Sequence, residues 1–311
     1  MASGYIDFFG YTGCIALQND DTRVVLGPHC GGRVLEYAWR GENALWLDPK
    51  EAGYTWHPGA PHPPMLCPSA GRFDIGPEML IPHRPSLWLG AWQGEIVDGY
   101  TARMTSQPSA ETGVQLVREF TLSPTGSRLA CTQIIVNTSD HETRWCHWSR
   151  TFARGHGIGV VPLTPKLSHY PKQYVMSGPG PAITIQPEDP AIRLREGFLE
   201  VLDTPARPKL SFDSYAGWFG YVMPNNLLFV KRYPTDPMRV YNEVVGLTLC
   251  LWYYKDIVCE LEPTGPMEVL APGQSSRFTE EWWLAPYAFP AQRDGLDLAA
   301  FSETAQRLME S

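Results

Sequence analysis

Long apolar runs, paired cysteines and basic clusters are all missing from this sequence. No stretch approaches the roughly 18 apolar residues of a membrane span, and the first residues lack the basic and apolar regions of a secretory signal. The seven cysteines are odd in number and show no Cys-x-x-Cys spacing, which favours reduced thiols. The net charge of −8 argues against a nucleic-acid partner. We therefore expect a cytoplasmic protein without a membrane or nucleic-acid partner.

Several catalytic signatures are also missing. The chain has no P-loop, no Gly-x-Ser-x-Gly elbow, no dinucleotide fingerprint and no His-Glu-x-x-His motif. Phosphoryl transfer, α/β-hydrolase chemistry and nicotinamide redox are therefore disfavoured, and we expect no cofactor. His57 and His62 lie close together in a loop rich in proline and glycine, but no third ligand stands at a recognised spacing. A metal pair there is the weaker alternative, and we expect no metal site.

Helical periodicity is almost absent, and β-rich runs dominate. Short runs of β-favouring residues alternate with turns supplied by 29 prolines and 28 glycines. The clearest hairpin joins residues 113–122 and 127–136 across a Ser-Pro-Thr-Gly turn. Only the spacing of Leu298, Phe301, Ala305 and Leu308 predicts a helix, at the C-terminus. With no linker or repeat, the sequence predicts one large antiparallel β-sandwich over residues 1–311.

Two acids stand two residues apart in a late strand. Glu260 and Glu262 point to the same face because strand side chains alternate, whereas Leu261 points to the other. Pro263 and the following Gly-Pro pair predict that the strand ends there. One interpretation is an edge strand with a solvated acidic face. The alternative is that one carboxylate lines a sugar-sized cleft as a general base.

Four local segments together resemble the galactose-mutarotase-like superfamily, nearest to a branch of unknown function. Residues 31–37 and 41–46 resemble its opening hairpin, and residues 64–72 with 81–83 are similar to the arginine and first-histidine region of aldose 1-epimerases. Residues 136–140 with His147 are similar to its second-histidine strand. Residues 259–263, 270–273 and 281–282 are similar to its ending. The resemblance extends over nearly the whole chain. It implies the large β-sandwich of that superfamily.

The resemblance also implies roles for individual residues. In the epimerases an arginine and two histidines hold the sugar, and a late glutamate removes the proton of the anomeric hydroxyl. Those roles correspond here to Arg72, His83, His147 and Glu262. Glu260 is the alternative to Glu262 as the base.

Each candidate residue also has a purely structural interpretation. His147 could be a hydrogen-bonded core histidine, and His83, between prolines, could lie on the surface. Arg72 could pin a loop through an ion pair with Asp74 or Glu78. Trp218 is either a core ring or a platform on which a sugar stacks. Glu243 is a secondary cleft candidate or a surface residue.

Our leading hypothesis is an aldose 1-epimerase-like enzyme that mutarotates a free sugar or sugar acid. Glu262 would act as the base and His147 as the acid that protonates the ring oxygen. One alternative is a lyase or isomerase that abstracts a carbon-bound proton in the same cleft. The other is a carbohydrate-binding protein without catalysis. In each case the expected partner is a small-molecule carbohydrate.

Overall fold

The computed structural model describes residues 2–60, 68–178, 182–243 and 246–311, and within them nearly every element is a β-strand. The first eleven strands are β1 (Ser3–Phe8), β2 (Tyr11–Gln18), β3 (Thr22–Gly27), β4 (Arg33–Trp39), β5 (Glu42–Asn43), β6 (Gly71–Gly76), β7 (Gln93–Ile96), β8 (Thr101–Thr105), β9 (Val114–Leu122), β10 (Leu129–Asn137) and β11 (Thr143–Arg154). The next eleven are β12 (Ile158–Pro162), β13 (Tyr174–Ser177), β14 (Ile183–Thr184), β15 (Ile192–Arg195), β16 (Phe198–Val201), β17 (Lys209–Phe212), β18 (Trp218–Met223), β19 (Leu227–Arg232), β20 (Leu249–Tyr254), β21 (Val258–Leu270) and β22 (Ser275–Pro286). The α-helices are α1 (Pro85–Trp88) and α2 (Leu298–Glu310).

These strands form two antiparallel sheets. The larger has 12 strands in the order β1-β2-β3-β4-β6-β11-β21-β20-β17-β13-β14, with β5 paired to β4. The smaller has 10 strands in the order β15-β16-β12-β18-β19-β22-β10-β9-β8-β7. The predicted hairpin is confirmed as β9 and β10, which pair from Leu122 with Leu129 to Val114 with Asn137. The predicted all-β sandwich with a C-terminal helix is likewise confirmed.

The strand with the two acids is longer than predicted. β21 continues through Pro263, which pairs with Leu249, and ends at Leu270. On its other side the register with β11 shifts, because Cys146 pairs with Met267 and Trp148 with Thr264. Gly265 and Pro266 therefore lie in an irregular part of the ladder between β11 and β21, where proline is tolerated. The prediction that the prolines end this strand was wrong.

Aromatic rings fill the space between the sheets. Tyr37 of the large sheet contacts Phe229 and Trp282 of the small sheet at centroid distances of 5.6 and 5.7 Å, and all three are buried. Helix α2 covers the outer face of the small sheet through Phe301. A Cβ on Gly220 of β18 would lie 2.6 Å from the Phe301 ring, so this glycine permits the close approach of the helix.

The interior between the sheets also holds a buried ion pair. Lys231 Nζ lies 3.1 Å from Glu280 Oε2 and donates to Thr151 Oγ1 at 2.8 Å, and both charged side chains are fully buried. Burial lowers the pKa of Lys231, although Glu280 opposes the shift. None of the helices in the described ranges is long and apolar enough to cross a membrane.

Candidate functional site

Glu260 and Glu262 lie on the face of the large sheet that points away from the small sheet. Leu261 between them belongs to the core between the sheets, so the alternation predicted from the sequence is confirmed. β21 is a central strand, flanked by β11 and β20, and the two acids are only 1% and 0% exposed. The alternative of an edge strand with a solvated acidic face is therefore wrong. These buried acids are the centre of the candidate site.

The two carboxylates differ sharply in their partners. Arg150 donates from Nε to Glu260 Oε1 at 2.8 Å and from Nη2 to Oε2 at 3.1 Å, which is a two-pronged arginine–carboxylate pair. Arg72 Nη2 lies a further 4.0 Å from Glu260 Oε1. Glu262 is 3.5 Å from Arg150 Nε, yet neither of its oxygens accepts a hydrogen bond from any described residue. The Arg150 guanidinium therefore forms its hydrogen bonds with Glu260 and not with Glu262.

This difference changes the proton affinity of Glu262. Burial is the largest cause, the neighbouring Glu260 charge adds to it, and Arg150 and Lys209 oppose it. Together they raise the pKa of Glu262 to about 8. A large share of Glu262 is therefore protonated at neutral pH, and the group can both give and take a proton.

Two more polar atoms next to Glu262 are buried without hydrogen bonds. Trp148 of β11 pairs with Thr264, and Thr264 lies two residues after Glu262 in β21. Trp148 Nε1 and Thr264 Oγ1 have no partner within the part of the chain that the structure describes. One N–H donor, one hydroxyl and one carboxyl therefore lie side by side. This combination suits a ligand that carries several hydroxyl groups.

Basic side chains converge on the same face. Lys209 of β17, three strands from β11, places Nζ 5.1 Å from the centroid of the Trp148 ring, and the guanidinium carbon of Arg150 lies 4.6 Å from it. Long side chains from strands three places apart therefore converge over Trp148, and we call the region around Trp148, Arg150, Lys209 and Glu262 the hollow. Lys209 also pairs with Glu78 at 2.9 Å. Side-chain exposure rises from 0% at Glu262 through 13% at Arg150 and 22% at Lys209 to 45% at Glu78, which marks the side nearest to solvent.

Arg72 belongs to the wall of this hollow. It is buried, and its guanidinium carbon lies 5.1 Å from the centroid of the Trp88 ring of α1. Asp74, one proposed partner of Arg72 in the structural interpretation, accepts hydrogen bonds from Arg84 at 2.9 and 2.8 Å, and Arg84 and Arg72 together lower its pKa despite burial. Arg72 is therefore near Glu260, as its candidate role requires, and Arg84 fixes the adjoining loop.

His147 does not belong to the hollow. It follows Cys146 and precedes Trp148 in β11, so it points between the sheets, away from Glu262. Its ring is stacked between Phe73 and Phe278, with centroids 5.8 and 5.6 Å away, and it is fully buried. Burial lowers the pKa of His147 to about 3. The expectation that His147 faces Glu262 is wrong, and a core histidine describes its position.

The remaining candidates are scattered. His83 is exposed on the loop before α1. Trp218 lies on the other sheet, half-buried and stacked on Phe301 of α2 at 6.0 Å, so it is outside the hollow around Glu262. Glu243 is buried and accepts from the backbone N–H of Glu78 at 2.7 Å, which places it at the border of the hollow.

The histidine pair proposed as a weak metal alternative stays untested. His57 is exposed and its Nδ1 lies 3.2 Å from the carbonyl oxygen of Pro58. His62 lies outside the described residues. Within the described ranges, no three histidine, cysteine or acidic side chains come together as metal ligands.

Sequence reasoning missed three important members of the site. Trp148 and Arg150 lie in a strand that was predicted, and their even spacing shows that they share a face. That spacing could have linked them, had His147 not been assigned to the cleft. Lys209 comes from a region of short strands and many prolines, where the sequence gives no register.

The fold can be compared with those of known proteins. No protein-family model and no curated protein sequence matches the chain. Among solved structures, the Slr1438 protein of Synechocystis has a TM-score of 0.62 at 15% identity and covers 90% of this chain and 99% of its own. A candidate aldose 1-epimerase from Escherichia coli has a TM-score of 0.59 at 12% identity, with 87% and 98% covered.

A galactose mutarotase-like protein from Lactobacillus casei also has a TM-score of 0.59, at 11% identity, and covers 88% of this chain and 100% of its own. At identities this low, the structural similarity establishes the fold but not the activity. The alignments extend over most of the chain in every case, so the likeness concerns the whole sandwich. This chain has the galactose mutarotase-like fold.

Proposed function

We propose that the protein is an aldose 1-epimerase-like enzyme that interconverts the anomers of a free sugar or sugar acid. One observation carries the proposal: the buried Glu262 carboxyl has two unbonded oxygens beside the unbonded Trp148 N–H and Thr264 hydroxyl. The shared fold supports it, since mutarotase-like proteins are among the structural neighbours. Free sugars present the clustered hydroxyl groups that such a set would bind.

In this proposal Glu262 performs both proton transfers. Its protonated oxygen gives a proton to the ring oxygen while its other oxygen takes the proton of the anomeric hydroxyl. The bond between the anomeric carbon and the ring oxygen breaks, and a carbonyl forms at the anomeric carbon. Rotation of the aldehyde and the reverse transfers then give the other anomer, and Glu262 ends in its starting state. No second acid is required, which agrees with the position of His147 between the sheets.

Arg150 is a positioning residue in this scheme. Its two hydrogen bonds hold the Glu260 carboxylate beside Glu262, where the charge of Glu260 adds to the effect of burial in raising the pKa of Glu262. Trp148 would orient the sugar through its indole N–H, since Arg150 and Lys209 lie over its ring. Arg72 and Lys209 would bind hydroxyl groups or a carboxylate on the part of the sugar away from the anomeric carbon.

Exchange NMR between anomers of glucose, galactose, glucuronate and galacturonate tests the proposal. We expect faster exchange of at least one sugar with the protein present, and a loss of about 10²–10⁴-fold in Glu262→Gln, the usual contribution of a positioned acid or base. Glu303→Gln, on the exposed face of α2, is the matched control and should keep full activity.

The pH dependence tests the mechanism separately. The protonated fraction of Glu262 falls as pH rises through about 8, so the rate should fall there if Glu262 starts protonated. A rate that rises through the same range would mean that the ionised carboxylate is the reactive form and would overturn the single-carboxyl scheme. Unchanged exchange of all four sugars, with binding seen at Trp148, would indicate a binding protein.

A further inference from the structure

A separate cavity opens where β11 begins, outside the hollow around Glu262. It has a volume of about 630 Å³ and lies between the loop after β6, the segment before β9 and the start of β11. Its wall includes Pro77, Leu80, Thr112, Thr143, Trp145 and Asn242. A volume of this size is within the range of small-molecule sites.

Unpartnered polar atoms are concentrated on this wall. Thr112 and Thr143 are only 4% and 5% exposed, yet their hydroxyl oxygens have no hydrogen-bond partner among the described residues. The side-chain oxygen of Asn242 is buried and unbonded in the same way. Buried polar groups are normally satisfied, because leaving one unpaired costs about 1–3 kcal/mol. Three such groups around one cavity point to a ligand that bonds to them.

The charged groups at the rim are paired with their own neighbours. Arg144 Nε donates to Glu142 Oε1 at 2.8 Å, and His141 Nδ1 lies 3.1 Å from the adjacent aspartate. Glu111 accepts from Ser109 Oγ at 2.8 Å. The buried unbonded polar atoms of the wall are neutral, which favours a neutral ligand over an ion.

The rest of the wall is apolar and has a fixed aromatic ring. Trp145 donates from Nε1 to the carbonyl oxygen of Thr112 at 3.0 Å, which holds the ring in place. Pro77, Leu80 and Met267 add apolar surface around it. A neutral molecule with hydroxyl groups on its edge and C–H groups on its faces matches such a wall, and sugar rings have this character.

We propose that this cavity is a second saccharide-binding site, separate from the hollow around Glu262. The choice of a saccharide as ligand rests on the proposed function. The two sites share one loop: Pro77 and Leu80 line the cavity, whereas Glu78 between them pairs with Lys209 in the hollow. Along β21, Met267 of the cavity is five residues from Glu262, roughly 16 Å in an extended strand, which is farther than one sugar ring extends.

The indole N–H resonances of Trp145 and Trp148 distinguish the two sites, because one ring lies in each. We would titrate protein carrying ¹⁵N-labelled tryptophan with glucose, galactose, maltose and cellobiose, and assign the two signals with Trp145→Phe and Trp148→Phe. We expect at least one sugar to shift the Trp145 signal, with a midpoint different from that of Trp148. Thr143→Val and Asn242→Ala should each weaken the Trp145 titration by about 2- to 10-fold, the effect of one hydrogen bond.

Thr121→Val, on an exposed position of β9, is the control and should leave both titrations unchanged. A Trp145 signal that none of the four sugars moves overturns the proposal, whatever Trp148 does. Normal Trp145 titration in both cavity variants would overturn it as well. A shift of Trp145 with no anomer exchange and no shift of Trp148 would support the second site and contradict the proposed function.

Discussion

Replacing His147 with phenylalanine should remove much of the sensitivity of the fold to mild acid. His147 is fully buried between the rings of Phe73 and Phe278, and the backbone of Ser276 only partly offsets the cost of burying its charged form. Burial lowers the pKa of His147 from its ordinary value of 6.5 to about 3. His147 therefore binds a proton much more weakly in the folded protein than in the unfolded chain.

The sign and size of the effect follow from linkage. The folded-state pKa is below the unfolded one, so this contribution to stability is complete above pH 6.5 and is lost as pH falls toward 3. Each pH unit in that window corresponds to about 1.4 kcal/mol. Lowering the pH from 7 to 5 should thus lower the unfolding free energy by about 2 kcal/mol through His147.

The assay is urea unfolding at pH 7, 6 and 5 for the wild type and His147→Phe. We expect the wild type to lose about 2 kcal/mol more than the variant over this range. His29→Phe, at an exposed position, is the control and should behave like the wild type. Equal losses in the wild type and His147→Phe would refute the reasoning, since they would mean that His147 binds its proton equally well in both states.

Three further substitutions test the charges and rings. Glu260→Gln removes the anion that raises the pKa of Glu262, so the alkaline fall of the anomer-exchange rate should move to lower pH. Lys231→Met leaves Glu280 buried without its ion-pair partner and should lower the unfolding free energy by about 3–5 kcal/mol in urea titrations; a loss under 1 kcal/mol would contradict this. Trp148→Phe keeps a ring but removes the N–H, and should weaken sugar binding about 2- to 10-fold in calorimetry.

Much of the fold could be predicted because its signals are local. The Ser-Pro-Thr-Gly turn between two β-rich runs identified the β9–β10 hairpin, and the spacing of Leu298, Phe301 and Ala305 identified α2. The extent of β21 could not be predicted in this way. Proline usually ends a strand, but the prolines of β21 lie in an irregular part of its ladder with β11. This arrangement depends on a partner strand more than a hundred residues away in the sequence.

The site was predicted only in part, for a similar reason. That Glu260 and Glu262 share a face follows from their spacing alone. Which of them is held by a guanidinium depends on Arg150, which the register of β11 against β21 places beside both. Lys209 joins them from a strand two places farther along the sheet. Neither register nor curvature is visible in a single sequence.

β11 shows how one step along a strand decides what a titratable side chain can do. His147 and Trp148 are neighbours, yet one points between the sheets and the other into the hollow. On the inner side burial removes the charge of the imidazole, and no sugar can reach it. On the outer side the same sheet gathers Arg150 and two carboxylates, and burial together with the neighbouring Glu260 charge raises the pKa of Glu262. In the proposed mechanism the single carboxyl of Glu262 then acts as both the acid and the base, which requires that a sugar reach both of its oxygens.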